Sequence, residues 1–138
     1  DWHNDVFGSA AEKLPMLDQG FAALLEDLKV KGLLDSTLVV LATEFGRSPK
    51  LTADGGRNHF PKAFSCIMAG GGVKGGYVHG KTDATATNVV EGKVDAKDFN
   101  ASIGYALGLE YDKTVYSASK RPFKMATKDG KPILDLFG

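Results

Sequence analysis

The sequence has little that would cross-link the chain or attach it to a charged or lipid partner. It contains one cysteine, Cys66, which excludes an internal disulfide and indicates no redox compartment. Basic and acidic residues both number 17, so no overall field would draw the chain onto nucleic acid or an anionic membrane. Its apolar runs, of which Leu38 to Ala42 is among the longest, fall far short of the roughly 20 residues of a membrane span. We therefore expect neither a nucleic-acid partner nor a membrane-spanning segment.

The composition that is present is that of an ordinary globular domain. Of the 138 residues, 43% are apolar and 25% are charged, and we expect a single domain over residues 1–138. The first residue is Asp1 rather than methionine, and the chain opens on a polar cluster that does not resemble a signal peptide. We interpret the chain as the C-terminal fragment of a larger domain.

The spacing of apolar residues predicts an α/β fold. Leucines and Phe21 recur at intervals of three and four, which predicts an amphipathic helix over about residues 10–31 that ends at Gly32. The apolar, β-branched run of residues 36–43 predicts a central parallel strand that is covered on both faces. Residues 63–69 predict a second buried strand, and residues 96–107 a second amphipathic helix. A helix followed by a buried strand is typical of α/β proteins.

The polar loop between the two predicted strands is the first candidate for a functional site. It leaves the C-terminal end of a strand, which is where open α/β sheets usually bind ligands. Its chemically active side chains are Glu44, Arg47, Arg57, Asn58 and His59. A carboxylate and an imidazole are metal donors, and an arginine fork fits the oxygens of a phosphate or sulfate group. The alternative is a solvated surface loop with an ion pair between arginine and glutamate.

A second pair of candidate metal ligands lies at the start of the chain. Asp1 and His3 are two residues apart, so in extended backbone their side chains leave on the same side and could share one cation. Their oxygen and nitrogen donors suit zinc, manganese or iron. The alternative is a pair of polar surface residues, because short motifs often match by chance.

Two glycine patterns raise the possibility of nucleotide binding. Gly70-x-Gly72-x-x-Gly75 has the spacing of a dinucleotide-binding turn, and the segment from Gly75 to Thr82 formally matches a phosphate-binding loop. Both motifs require a helix that begins directly after the glycines, and the sequence predicts none there. A nucleotide-binding module is therefore the weakest of three hypotheses for this chain.

Four segments, in unbroken order, resemble the bacterial DUF1501 family. They are residues 1–3, 38–47, 56–61 and 69–76. DUF1501 in turn resembles the alkaline-phosphatase and sulfatase superfamily. The resemblance implies an α/β fold in which this chain is the C-terminal part of a three-layer sandwich with a largely parallel sheet. It also implies a periplasmic or exported protein whose upstream half carries the nucleophile.

The function implied by this resemblance is metal-dependent hydrolysis of phosphate or sulfate esters. Asp1, His3 and His59 match the Asp, His and His that hold one metal ion in the two-metal members of the superfamily. Glu44 stands at the Asp of an Asp-His pair and would be a ligand or an orienting carboxylate. Phe45 replaces the His of that pair, and a phenyl ring cannot ligate a metal. The expected cofactor is a divalent ion of zinc, manganese, calcium or iron.

The remaining site residues complete the expected chemistry and also motivate its alternative. Arg47 and Arg57 would neutralise the charge that develops on the transferring group. Asn58 would contribute to the metal site at a position where DUF1501 commonly has Asp. Because Phe45 and Asn58 both depart from a full ligand set, the alternative is a non-catalytic phosphatase-like domain. Such a domain would bind an anionic polysaccharide or a protein partner.

Overall fold

The computed structural model describes residues 2–124, 126–127 and 129–138. Within these ranges helix α1 spans Val6–Val30, helix α2 spans Ala96–Ala106, and 3₁₀ turns lie at Leu34–Ser36 and Leu134–Leu136. Neither α1 nor α2 is both long enough and apolar enough to cross a bilayer.

The strands of the described residues are short and form separate antiparallel pairs. The pairs are β1 (Val39–Leu41) with β4 (Ile67–Ala69), β2 (Gly46–Arg47) with β3 (His59–Phe60), β5 (Lys81–Thr82) with β6 (Val89–Glu91), and β7 (Val115–Tyr116) with β8 (Pro122–Phe123). Each of these sheets has two strands, so no continuous sheet layer forms among them.

The predicted three-layer sandwich with a largely parallel sheet is therefore wrong for this part of the chain. β1 runs antiparallel to β4, with Leu41 opposite Ile67. Parallel neighbours need a crossover connection, usually a helix, whereas residues 42–66 contain only the β2–β3 hairpin, turns and irregular backbone. The chain consequently returns beside β1 in the opposite direction. All three residues of β1 are half-buried instead of being covered on both faces. The mixture of helix and strand that the sequence predicted is confirmed.

Both predicted helices are confirmed, and α1 ends as the sequence predicted. Gly32 has a φ of 67°, the left-handed region that a glycine enters without a steric cost. Its N–H donates to the carbonyl of Lys29 at 3.0 Å, and the N–H of Leu33 donates to the carbonyl of Leu28 at 2.8 Å. This pair of bonds is the Schellman arrangement, which satisfies carbonyls of the last turn. The glycine therefore terminates the helix through its backbone conformation.

Much of the apolar surface of α1 is left uncovered. On its apolar stripe, Leu14, Leu17 and Leu24 are 50%, 46% and 46% exposed. The accessible surface is 9738 Å², whereas a compact folded chain of this mass would expose roughly 6,900 Å². The described fold thus covers little of its own apolar side-chain surface.

One buried hydroxyl group joins α2 to the C-terminal segment. Ser102 has a relative exposure of 0%, and its Oγ donates to the carbonyl of Asp98 at 2.8 Å. The same oxygen accepts a hydrogen bond from the backbone N–H of Ile133 at 2.9 Å. The carboxylate of Asp98 accepts a further bond from the N–H of Lys131, also at 2.9 Å. The C-terminal segment is therefore held against α2 by side-chain acceptors.

We expect Ser102→Ala to lower the free energy of unfolding by about 1–3 kcal/mol, because the N–H of Ile133 loses its acceptor in a buried position. Urea unfolding followed by circular dichroism measures the change. Ser119→Ala is the matched control, since Ser119 is exposed and should change stability by less than about 0.5 kcal/mol. Equal effects of the two substitutions would show that the buried hydroxyl does not hold the segment.

Candidate functional site

The β2–β3 hairpin places two of the predicted site residues side by side. Arg47 is paired with His59 across the hairpin, so their side chains leave the same face of the sheet. The pairing continues beyond the strands, where the N–H of Ser48 donates to the carbonyl of Asn58 at 2.9 Å. The hairpin therefore sets a cation beside an imidazole.

The N-terminal segment is bound to the loop that precedes β3. The N–H of Arg57 donates to the carbonyl of Trp2 at 2.7 Å, and Asn4 forms an antiparallel bridge with Gly55. Gly56 makes this approach possible, because a Cβ at this position would lie 1.8 Å from the carbonyl oxygen of His3. Close contact between two backbone segments thus brings His3 to the hairpin.

Four side chains form one cluster where these two segments meet. The ring centroids of His3 and His59 are 4.9 Å apart, and those of His59 and Phe45 are 4.1 Å apart. Nη1 of Arg47 lies 3.4 Å from Nε2 of His3. Because a guanidinium can only donate, Nε2 is the acceptor, which assigns the proton of a neutral His3 ring to Nδ1. The two imidazoles that the sequence singled out are therefore neighbours.

Arg47 and Arg57 make different contacts within the protein. Nη1 of Arg57 donates to the carbonyls of Ser48 and Pro49 at 2.7 and 2.5 Å, which holds the turn after β2. Nη1 of Arg47 donates to the carbonyl of Arg57 at 3.3 Å, and its guanidinium lies 5.7 Å from the centroid of the Phe45 ring. A guanidinium has five N–H donors, and no described residue accepts from Nε or Nη2 of either arginine, so these donors can serve a ligand.

These arginines line an open cleft of about 640 Å³. Glu44 and Trp2 also line the cleft, as do Thr82 and Ala86 from the region of β5. Glu44 is exposed, and the described residues include no hydrogen-bond or ion-pair partner for it. With two arginines and one glutamate, the charge of these lining residues is net positive, which suits an anionic ligand.

The structure brings together only some of the predicted metal-ligand side chains. His3 and His59 are in contact, whereas Asn58 is exposed and bonds through its backbone N–H to Oγ of Ser48 at 3.1 Å. Asp1 lies outside the described residues, so its predicted position is not tested. Among the residues that are described, no group of three His, Cys, Asp or Glu side chains is arranged to hold a metal ion. The metal roles of these residues stay predictions.

The glycine segment from Gly75 to Thr82 does not have the structure of a phosphate-binding loop. It ends in the short strand β5, and residues 83–88 form a loop rather than the helix that the motif needs. The nucleotide-binding hypothesis thus loses its structural basis. The end of this segment nevertheless reaches the cleft through Thr82, which the sequence reasoning did not predict.

The loop that follows β5 is the part of the site that the sequence reasoning missed. The pKa of Asp83 is lowered to about 2, first by the hydrogen bond from the backbone N–H of Thr87 and then by the side chain of Asn88. The pattern Asp-x-Thr-x-Thr-Asn, rich in side chains that bond to nearby backbone, was the available signal. It indicates an ordered loop, although it does not indicate that the loop borders a cleft.

Comparison with known proteins identifies one relationship. The family model described as "Protein of unknown function (DUF1501)" matches residues 1–137. No curated protein and no solved structure matches the chain.

Proposed function

The chain belongs to the DUF1501 family, and we propose that it hydrolyses phosphate or sulfate esters bound in the cleft beside Arg47, with a divalent metal ion held at His3 and His59. The observation that carries this proposal is the contact of the two imidazoles with each other and of His3 with Arg47. Metal donors and an anion-binding group are thus only a few ångströms apart. A metal-dependent hydrolase of an anionic ester uses both.

The anion-binding part of the proposal is supported by the arginines. Arg47 and Arg57 line one cleft, and each guanidinium keeps donors that no described residue accepts. Two parallel N–H groups match two oxygens of a phosphate or sulfate, which a point charge such as a lysine does not. Hydrogen bonds from Arg57 to two carbonyls hold its guanidinium in place, so its remaining donors are preorganised.

The metal-binding part is supported by the chemistry of the imidazole pair. Neutral imidazole nitrogens suit zinc, manganese or iron, whereas calcium prefers oxygen ligands. We therefore favour the first three ions. The pair fits such an ion in donor type, and we propose that Asp1 supplies a further ligand. When bound, the ion supplies polarisation of the ester or activation of the attacking oxygen.

The residues of the chain would then bind and orient the ester. Arg47 would hold a nonbridging oxygen of the transferring group and neutralise its growing negative charge. The ring centroids of Phe45 and His59 are 4.1 Å apart, so the phenyl ring gives the imidazole an apolar neighbour on one side. Glu44, at the cleft, would orient a donor group of the ligand or of bound water.

We propose that the nucleophile comes from an upstream half of the same protein. The cleft hydroxyls of the described residues are Thr43, Ser65 and Thr82, and none of them bonds to a histidine or carboxylate base. Thr43 donates instead to the carbonyl of Phe45 at 2.8 Å. The uncovered apolar stripe on α1 supports the same proposal, since further polypeptide would bury it.

A second candidate is a non-catalytic domain that binds an anionic polysaccharide or a protein partner through the same arginines. It is favoured by the exposed position of Asn58 and by Phe45, which puts a phenyl ring where a metal ligand would lie against His59. The two candidates differ in turnover. Hydrolysis by the wild-type protein that is lost in His59→Ala would exclude the second.

We expect Arg47→Ala to weaken the binding of inorganic phosphate and sulfate by about 10- to 100-fold, because a charge-assisted hydrogen bond is lost. Isothermal titration calorimetry measures the dissociation constants. Arg121→Ala is the matched control, since Arg121 has the same kind of ring contact, 5.4 Å from Phe123, and is not among the residues that line the cleft. Equal affinities in the wild type and both variants would contradict the anion-binding role of the cleft.

A further inference from the structure

The loop of residues 83–88 is held together by one carboxylate. Oδ1 of Asp83 accepts from the N–H and hydroxyl of Thr85 at 3.2 and 2.9 Å, and from the N–H of Thr87 at 2.8 Å. Oδ2 accepts from the backbone and side-chain nitrogens of Asn88 at 3.1 and 2.9 Å. The ends of the loop also meet, because the N–H of Asp83 donates to the carbonyl of Asn88 at 2.9 Å. A single side chain thus fixes the loop.

The carboxylate of Asp83 is ionised throughout the pH range in which the protein would function. Five hydrogen bonds to the charged form stabilise it, and the pKa of Asp83 is accordingly lowered to about 2. An amide in its place would offer one oxygen and one NH₂ group. The NH₂ group would face donors of Thr85 and Thr87 or of Asn88, so no orientation of an asparagine restores the network.

The loop so fixed, together with the last residue of β5, contributes two small, uncharged residues to the lining of the cleft. Thr82 and Ala86 line the same space as Arg47 and Arg57. Ala86 has a φ of 54°, a conformation that a residue with a side chain rarely adopts and that persists where its surroundings enforce it. The N–H of Ala86 donates to the carbonyl of Asp83 at 3.0 Å, which closes the turn around it. The Asp83 network therefore positions the methyl group of Ala86.

We propose that Asp83 is a positioning residue for ligand specificity, and that the wall formed by Thr82 and Ala86 contacts the uncharged organic part of the ester. This inference rests on the proposed function. Neither side chain carries a charge, so this wall adds no ionic attraction to the anion, which Arg47 and Arg57 hold. The wall contacts instead the organic group that is esterified to the anion. The loop thus discriminates an ester from the free inorganic ion.

The test compares an aryl ester with the free anion. Dissociation constants of phenyl phosphate, inorganic phosphate, phenyl sulfate and inorganic sulfate are measured by calorimetry for wild type, Asp83→Asn and Ala86→Leu. We expect both substitutions to weaken the binding of the phenyl esters about tenfold and the binding of the inorganic ions less than about twofold. The matched control is Asp95→Asn, which removes only an exposed ion pair with Lys93, 2.8 Å away. It should change none of the four constants.

The outcomes separate this inference from the function on which it rests. Wild-type protein that binds none of the four ligands overturns the proposed function and the inference together. Wild-type binding of the inorganic ions, with an unchanged ratio of ester to ion affinity in both variants, overturns the role of the loop alone. Should Asp83→Asn fail to fold, Ala86→Leu decides, because it alters the wall without removing a hydrogen bond of the Asp83 carboxylate.

Discussion

Gly56→Ala is expected to destabilise the protein by about 3 kcal/mol or more, and to detach the N-terminal segment from the loop before β3. A Cβ at Gly56 would lie 1.8 Å from the carbonyl oxygen and 2.1 Å from the carbonyl carbon of His3. Real Cβ atoms do not approach backbone so closely, so one of the two segments must move. The bond from the N–H of Arg57 to the carbonyl of Trp2 lies beside this contact and would be lost with it.

Two measurements check this result. Urea unfolding gives the change in stability, and the fluorescence of Trp2, the single tryptophan, reports directly on the segment because it is half-buried at the cleft. We expect the emission of the folded variant to shift to longer wavelength as Trp2 becomes exposed. The consequence for function is that His3 leaves His59, so the variant should lose any ion that needs both imidazoles.

Gly20→Ala is the matched control for this substitution. A Cβ at Gly20 has nothing within 4 Å, and Gly20 lies inside α1. Alanine there should stabilise the helix by about 1 kcal/mol, because glycine is the poorer helix former. If Gly56→Ala behaves like Gly20→Ala, with unchanged Trp2 emission, the close contact between the N-terminal segment and the loop does not exist in solution.

Local sequence signals predicted the helices correctly because their causes are local. The apolar spacing of α1 and the glycine at its end act within a few residues, and the structure confirms both. The parallel sheet was predicted from the apolar run of residues 36–43 and from the family resemblance. That run shows that a strand is favoured, yet the direction of its neighbour depends on the connection of residues 42–66, which contains no helix. Apolar composition therefore could not settle the topology.

In the candidate site, too, some features could be predicted from the sequence and others depend on how distant segments fold together. The family resemblance implied that His3 and His59 share one metal ion, and the structure places their ring centroids 4.9 Å apart. The metal role itself stays a prediction. The hydrogen bonds of Arg57 to the carbonyls of Ser48 and Pro49 could not be predicted, because they depend on how one turn folds back. The same holds for Ala86, which reaches the cleft through a hairpin whose position no local pattern specifies.

The second large effect concerns metal content. We expect the wild-type protein to bind about one zinc, manganese or iron ion per chain, and His3→Ala and His59→Ala each to lower this content at least about tenfold. The reason is that the two rings, 4.9 Å apart, would share the ion, so the loss of either leaves too few donors. Elemental analysis of the purified full-length protein gives the content directly, and it needs no knowledge of the substrate.

The chain offers two informative controls for this measurement. His79, the third histidine, is half-buried and contacts Tyr77 rather than the His3–His59 cluster, so His79→Ala should retain the ion. Arg47→Ala should also retain it, because removing the guanidinium near Nε2 of His3 removes a competing cation and no metal donor. This variant would then lose anion affinity while it keeps the metal, which separates the two parts of the site.

Each outcome of the metal measurement points to a different next step. An ion that both histidine substitutions abolish and both controls keep would support hydrolysis, and phosphate and sulfate esters would then be screened for turnover. An ion that is retained in His3→Ala and His59→Ala would place the metal away from the imidazole pair and contradict the proposed site. Metal-free wild-type protein that still binds phosphate or sulfate through Arg47 would favour the non-catalytic candidate, since the anion-binding cleft would then act without the chemistry that an ion supplies.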